Sequence, residues 1–298
     1  MRILIQNYTS MISTEAMYLA RCLEVVGQDV YLWNDPNMSA FDIFDSFKPD
    51  VFLSHYQFLT EDQIKYLSRN KNIQCILNVT GVDSPILTNI ENAFRENGVN
   101  CPFVFTNAHT VLPQPKADKL KVHSILPGVD VFLAHEEIAN FKLDVGVIAT
   151  EPSKEIEEYV SNKDTYHLLK LTVSPERDKN FDIPVNIMSL RSLYSHYKEI
   201  LFATGMNLVF SQIFYEAIGH ADKVTFKLMD EEEELWNKYL LSLFKEEEGD
   251  ISDVLKGQIF SRHTCVRRAA RFCRYLKDSE TKSKLEKLDR ELMQVRRT

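Results

Sequence analysis

The run Phe202-Ala-Thr-Gly-Met-Asn-Leu-Val-Phe-Ser-Gln-Ile-Phe-Tyr-Glu-Ala-Ile-Gly219 carries the residue types best suited to chemistry in this chain. It reads as a short buried strand, a turn at Gly205-Met206-Asn207, and a helix with Glu216 a few turns in. Free backbone N–H groups at a helix N-terminus donate hydrogen bonds to a phosphate and hold it without any dedicated cation. A carboxylate on the same helix is placed to bind a ribose diol. Gly205, Met206, Asn207, Ser211 and Glu216 are therefore the binding candidates of this run. With only nine glycines in the chain, close backbone approach to a phosphate rests on few positions, and Gly205 is the best of them. The same run also fits an ordinary αβ unit with a solvated Glu.

The elements that position these residues follow from the hydrophobic pattern. In the first 127 residues, strand-like runs at Arg2–Gln6, Asp29–Trp33, Asp50–His55, Gln74–Asn78 and Phe103–Thr106 alternate with helical patterns. The helical patterns are Thr14–Val26, Ala40–Phe47, Glu61–Asn70 and Pro85–Asn97, with Gly98 as a helix stop. Such alternation predicts βαβ units and a parallel sheet. Ser124-Ile-Leu-Pro-Gly-Val-Asp130 breaks the rhythm with a Pro-Gly turn. A second series follows, with strands at Val145–Ala149, His167–Thr172, Val185–Met188, Ile200–Ala203 and Val224–Leu228. Its helices are expected at Ser153–Val160, Ser192–Tyr197 and Val209–Ile218, and from Asp230 onward the chain reads as helical. The expected fold class is α/β, two Rossmann-like domains followed by a helical C-terminal tail. The boundaries fall at 1–127, 128–255 and 256–298. In open parallel sheets, ligands bind beyond the carboxyl ends of the strands, so the loops after strands are the places to search.

Composition narrows the classes. A 44% apolar and 26% charged composition over 298 residues suits a globular protein with sizeable cores. There is no apolar run of about 18 residues, hence no expected membrane span, and the N-terminus enters a strand directly. Five scattered cysteines without a CxxC pair suit a reducing compartment, and the chain reads as cytoplasmic. No DxD, no His pair at i, i+4 and no Cys cluster suggests a metal site. The net charge of −8 is uneven: residues 256–298 hold thirteen Lys and Arg against five acids, a net of +8, leaving −16 for the rest. Apolar residues at helical spacing run through this basic tail, which favours packing back on the body, with polyanion binding as the alternative.

Three segments resemble the GT-B glycosyltransferases. Leu126-Pro-Gly-Val-Asp130 is similar to their interdomain segment, Phe214-Tyr-Glu-Ala-Ile-Gly219 to the segment whose Glu binds the donor ribose, and Arg262-His-Thr-Cys-Val-Arg-Arg-Ala269 to a segment near the end of the CgeB-like branch. The resemblance implies a GT-B fold, with an N-terminal acceptor domain and a C-terminal domain holding a UDP- or GDP-linked sugar. It implies Glu216 at the ribose and no cofactor beyond that donor substrate. The chain departs from the pattern in lacking a Gly-rich turn after the first strand, and in having Leu208 eight residues before Glu216 where retaining members carry a second Glu. Lys170, Arg177 and Lys179 stand in for the cations that neutralise the donor diphosphate.

Glycosyl transfer needs charge stabilisation on the leaving phosphates and, for inversion, a base at the acceptor hydroxyl. Asp83 and His109 are the catalytic candidates, both just after first-half strands, with His55 a further histidine at such a position. Asp83 fits an N-cap of the following helix better than a base, and His109 fits contact with the transferred sugar equally well. His263 fits a packing or hinge role. The expected function is a metal-independent hexosyl- or pentosyltransferase with an unassigned acceptor. Alternatives are a phage-type DNA-base glycosyltransferase, with DNA as the partner, and a non-catalytic nucleotide-sugar binder. A dinucleotide enzyme is disfavoured because no GxGxxG with a trailing acid exists.

Overall fold

In the computed structural model the chain forms two compact units, Met1–Leu126 with Cys265–Thr298, and Pro127–Thr264. The structure describes residues 1–7, 14–35, 37–80, 82–106, 116, 118–125, 128–129, 131–132, 143–149, 154–171, 183–185, 194, 196–203, 212–226, 257 and 259–295.

The first unit alternates β1 (Arg2–Gln6), α1 (Thr14–Val25), β2 (Asp29–Trp33), α2 (Ala40–Phe47), β3 (Val51–His55), α3 (Glu61–Arg69), β4 (Gln74–Asn78), α4 (Ser84–Asn97), β5 (Val104–Thr106) and β6 (Val122–Ser124). These six described strands pair in parallel in the order β2-β1-β3-β4-β5-β6. Ile3, Leu4 and Ile5 in β1, Phe52 in β3, and Cys75, Ile76 and Leu77 in β4 are all buried. Continuous apolar runs of this kind mark strands covered on both faces. Local chemistry sets the helix ends. Thr60 and Gln63 form a reciprocal capping box at the start of α3, and Gly98 takes a φ of 64° to end α4. The half-exposed, three-residue β6 was not expected from the sequence, which gives so short an edge strand no distinctive pattern.

The chain returns to this unit in α7 (Cys265–Tyr275) and α8 (Ser279–Val295). Phe272 of α7 is buried and meets the rings of Phe103 and Phe105 edge-on, at centroid distances of 6.1 and 6.3 Å. Gln28, just past α1, donates to the Thr281 hydroxyl at 3.0 Å.

The second unit holds β7 (Leu143–Ala149), α5 (Lys154–Val160), β8 (Tyr166–Leu171), β9 (Ile183–Val185), β10 (Tyr197–Ala203), α6 (Gln212–His220) and β11 (Lys223–Phe226). Its five described strands are parallel in the order β11-β10-β7-β8-β9. Two expectations are corrected here. Tyr197, expected to end a helix begun at Ser192, instead opens β10, where it pairs in register with Leu143 and is buried. The strand expected to start at Val185 already begins at Ile183, where Ile183–Val185 pair with Leu169–Leu171 of β8; residues 186–188 of that expectation lie outside the described residues.

At the amino ends of these strands, Glu199 of β10 is buried, 5% exposed. It accepts hydrogen bonds from the Tyr159 hydroxyl at 2.6 Å and from the Thr225 hydroxyl, with Lys163 at 3.4 Å and Lys223 at 3.7 Å. Burial opposes its charge, but the Thr225 and Tyr159 hydroxyls and the two ammonium groups outweigh that cost. Together they hold the carboxyl below its ordinary value. This clasp ties β10 to α5 and β11 at the edge of the sheet opposite the strand carboxyl ends.

Candidate functional site

Strand order locates the candidate site in each unit. In the first, the order reverses between β1 and β3, so the crevice lies beyond Gln6 and His55. A buried polar layer occupies this place. The Ser54 hydroxyl donates to Gln6 Oε1 at 2.7 Å, Gln6 Nε2 donates to the Phe58 carbonyl at 3.2 Å, and Asn7 Nδ2 donates to Asn34 Oδ1 at 3.3 Å. His55 Nδ1 accepts from the Gln57 amide at 3.4 Å and caps a turn of 3-10 helix, Tyr56–Phe58. Burial pushes the imidazole below its ordinary pKa of 6.5, with a hydrogen bond to the Thr80 backbone pulling the other way. A neutral imidazole at pH 7 is the form in which a histidine can take up a proton. Sequence reasoning named the residues after β1 and β3 but missed the Gln6–Ser54 pair, since both side chains sit inside the strands.

Asp83 is the N-cap of α4, with one carboxylate oxygen accepting from the Ile86 amide at 2.9 Å. Its other candidate role leaves it one uncommitted oxygen in that contact. His109 lies outside the described residues.

In the second unit the order reverses between β7 and β10, which end in register at Ala149 and Ala203. The carboxyl end of β10 is thus at the switch point, and Gly205, Met206, Asn207 and Ser211 follow it in the sequence. All four lie outside the described residues, as do Arg177 and Lys179. Lys170 sits in β8, paired with Ala149 and Pro184.

Helix α6 follows β10 and presents the described part of the site. Glu216 is 2% exposed, and its Oε2 lies 3.0 Å from Nε2 of His220, one turn on. The Tyr215 ring stacks on His263 at 5.2 Å and 22°. Gly219 is pressed against Val129: a Cβ there would stand 2.4 Å from Val129 Cγ2. Val129 donates its amide to the His263 carbonyl at 2.8 Å and bridges Thr264. Residues near 129, 215–220 and 263–264, widely separated in sequence, therefore form one buried cluster. His220 and Tyr215 were missed by sequence reasoning; the Glu-to-His spacing of four on one helix was the available signal. Among the described residues, no group of three or more His, Cys, Asp or Glu side chains is placed to hold a metal ion. None of the described helices is long and apolar enough to cross a membrane.

No protein-family model and no curated protein matches the chain. Among solved structures it is similar to the glycosyltransferase SnogD from Streptomyces nogalater, with 12% identity, a TM-score of 0.50, and 92% of this chain and 99% of SnogD covered. The fold is of the GT-B type. Weaker likenesses include the UDP-GlcNAc 2-epimerase from Neisseria meningitidis, at 12% identity and a TM-score of 0.46, covering 94% of this chain and 100% of that one. The spinosyn rhamnosyltransferase SpnG, crystallised with thymidine diphosphate, gives 11% identity and a TM-score of 0.41, over 98% of this chain and 96% of its own.

Proposed function

We propose that the chain transfers a sugar from a nucleotide-diphosphate donor to an acceptor hydroxyl, without a metal ion, and that its second unit holds the donor. The observation that carries this reading is the buried cluster around Val129, Glu216, Gly219 and His263. It joins the three segments that resemble glycosyltransferase motifs, one of them the segment of the CgeB-like branch. In this scheme the diphosphate of a UDP- or GDP-sugar rests on the backbone amides at Gly205, Met206 and Asn207, beside Ser211. Lys170 and Arg177 offset its charge, and Glu216 accepts from the ribose hydroxyls. As the bond from the anomeric carbon to the diphosphate breaks, the acceptor oxygen attacks. Asp83 or His109 takes the proton that the acceptor loses in an inverting course. The transferred group is a hexose or pentose, and the setting is cytoplasmic.

Titrating UDP and GDP into the protein and into Glu216→Ala tests the assignment. Removing a charged hydrogen-bond partner weakens binding by about tenfold to a hundredfold. Unchanged affinity removes Glu216 from the donor site. Slow hydrolysis of a nucleotide-sugar that survives a chelator supports metal-independent transfer. Nucleotide binding without hydrolysis or transfer favours the second reading, a non-catalytic binder, which is motivated by Leu208 standing where a paired glutamate is expected.

A further inference from the structure

The positive charge of the C-terminal segment is concentrated on one helix. Helix α7 carries Arg267, Arg268, Arg271 and Arg274 and no acid, whereas α8 balances Lys282, Lys284, Lys287 and Arg290 against Glu280, Glu286, Asp289 and Glu291. The charges of α8 are largely consumed internally, in the pairs Lys282–Glu286 at 3.0 Å, Lys284–Glu280 at 2.7 Å and Lys287–Glu291 at 3.7 Å. Its buried Asp289 takes Arg267 of α7 at 2.6 Å, and Arg268 is itself buried. That leaves Arg271, Arg274 and Lys277 exposed, with no ion pair among the described residues. Arg271 and Arg274 are three apart on α7, which puts them on one face, and Lys277 follows just past the end of the helix with a φ of 62°. The helix dipole favours cations in the last turn, which accounts for Arg274 but not for Arg271 in mid-helix.

Aromatic surface adjoins this stripe. Tyr275, one turn from Arg271, stacks face to face on His123 of β6 at 3.7 Å and 4°, and both rings are half-buried. Strand β6 is the edge of its sheet, and exposed Lys121 lies beside His123. Burial and the Lys121 charge both push the His123 imidazole below its ordinary value, the second being a local sign of positive potential. The rest of the chain is strongly acidic, so a polyanion is repelled elsewhere and drawn here.

We propose that Arg271, Arg274 and Lys277, with the Tyr275–His123 stack and Lys121, form a docking surface for the phosphate backbone of a single-stranded nucleic acid. Guanidinium groups match phosphate oxygens, and rings among cations provide stacking for bases, the combination used to hold single strands. An anionic membrane fits less well, because the exposed large apolar side chains, among them Val25, Tyr31, Met38, Phe41, Ile86 and Tyr166, include none on α7, α8 or β6. An acidic peptide would use the cations and leave the rings idle. All of these residues belong to the first unit, whereas the proposed donor-binding residues belong to the second.

Fluorescence anisotropy with a labelled single-stranded DNA of about 20 nucleotides, long enough to span such a site, tests it with the full chain. Phosphate contacts by the four cations Arg271, Arg274, Lys277 and Lys121 predict a slope of log K against log salt of about −3. Arg271→Glu/Arg274→Glu should weaken binding by at least about tenfold and flatten the slope by about 1.4. Arg271→Gln/Arg274→Gln, with an unchanged unfolding midpoint, should weaken it in the same direction and guards against a folding defect. The His123 ring protons should titrate at higher pH in the complex, since a nearby phosphate stabilises the imidazolium. Absence of binding at low salt, full binding by either variant, an unmoved His123 titration, or equal affinity for polyglutamate or phosphatidylserine vesicles would each overturn the proposal.

Discussion

Replacing Gly219 by alanine tests the close packing of the cluster in the second unit. The new methyl would lie 2.4 Å from Val129 Cγ2, 3.3 Å from Val129 Cβ and 3.5 Å from Phe260 Cζ. Carbon atoms rest about 3.5–4.0 Å apart, so the valine methyl must move by more than about 1 Å. It has little room to do so. Val129 is fully buried, and its backbone is fixed by the 2.8 Å bond to His263 and the bridge to Thr264. Overpacking of this kind costs about 1–3 kcal/mol, and the upper end applies where the neighbour is pinned. Alanine recovers up to ~1 kcal/mol of helix propensity, leaving a net loss of about 2 kcal/mol. With a urea slope of about 1–3 kcal/mol per molar, the unfolding midpoint should fall by roughly 1 M. Val129→Ala removes the obstructing methyl groups, so Gly219→Ala made in that background should cost nothing or stabilise slightly. The coupling between the two substitutions should then exceed ~1 kcal/mol. Simple additivity, or a neutral single Gly219→Ala variant, would refute the packing argument.

Glu199 supplies a pH test. Because its folded carboxyl is held below the ordinary value of 4.5, the clasp contributes stability above that pH and loses it as pH falls through the lowered value. Urea midpoints of the wild type and Glu199→Gln should therefore differ at pH 7 and converge as the medium is acidified below 4.5. A gap that widens on acidification contradicts the sign. Phe272→Ala should cost about 3–5 kcal/mol, because the ring is buried between Phe103 and Phe105, and limited proteolysis should then release the segment containing α7 and α8. Asp83→Ala should lower stability by about 1 kcal/mol through loss of the α4 cap, while Asp83→Asn retains most of it. If Asp83 is also the base, Asp83→Asn should abolish transfer at nearly unchanged thermal stability, and full activity in that variant assigns the proton to another group.

The order of elements in the first unit was legible in the sequence, because each strand is a compact apolar run and each helix has local stop and start signals. Gln74–Asn78 and Asp29–Trp33 appear with the bounds expected, and Gly98 ends α4 in the left-handed conformation that glycine adopts without strain. The cap at Asp83 was legible for the same reason, since its partner Ile86 is three residues away. Strand β6 and the start of β10 were not. Three half-exposed residues carry no period, and Tyr197 becomes a strand residue only because Leu143 lies beside it.

Spacing along one chain thus determined the helices, the caps, the alternation that makes a parallel sheet, and the presence of Glu216 on a helix. Tertiary structure decided what those residues meet. It turned Gly219 into a contact point for Val129, put Tyr215 over His263, and paired Arg267 of α7 with Asp289 of α8 while leaving Arg271 and Arg274 exposed. The reason is physical: backbone propensity and capping act within about one or two turns. Packing and ion pairing depend on which distant segments are brought within a few ångströms, which no local pattern encodes.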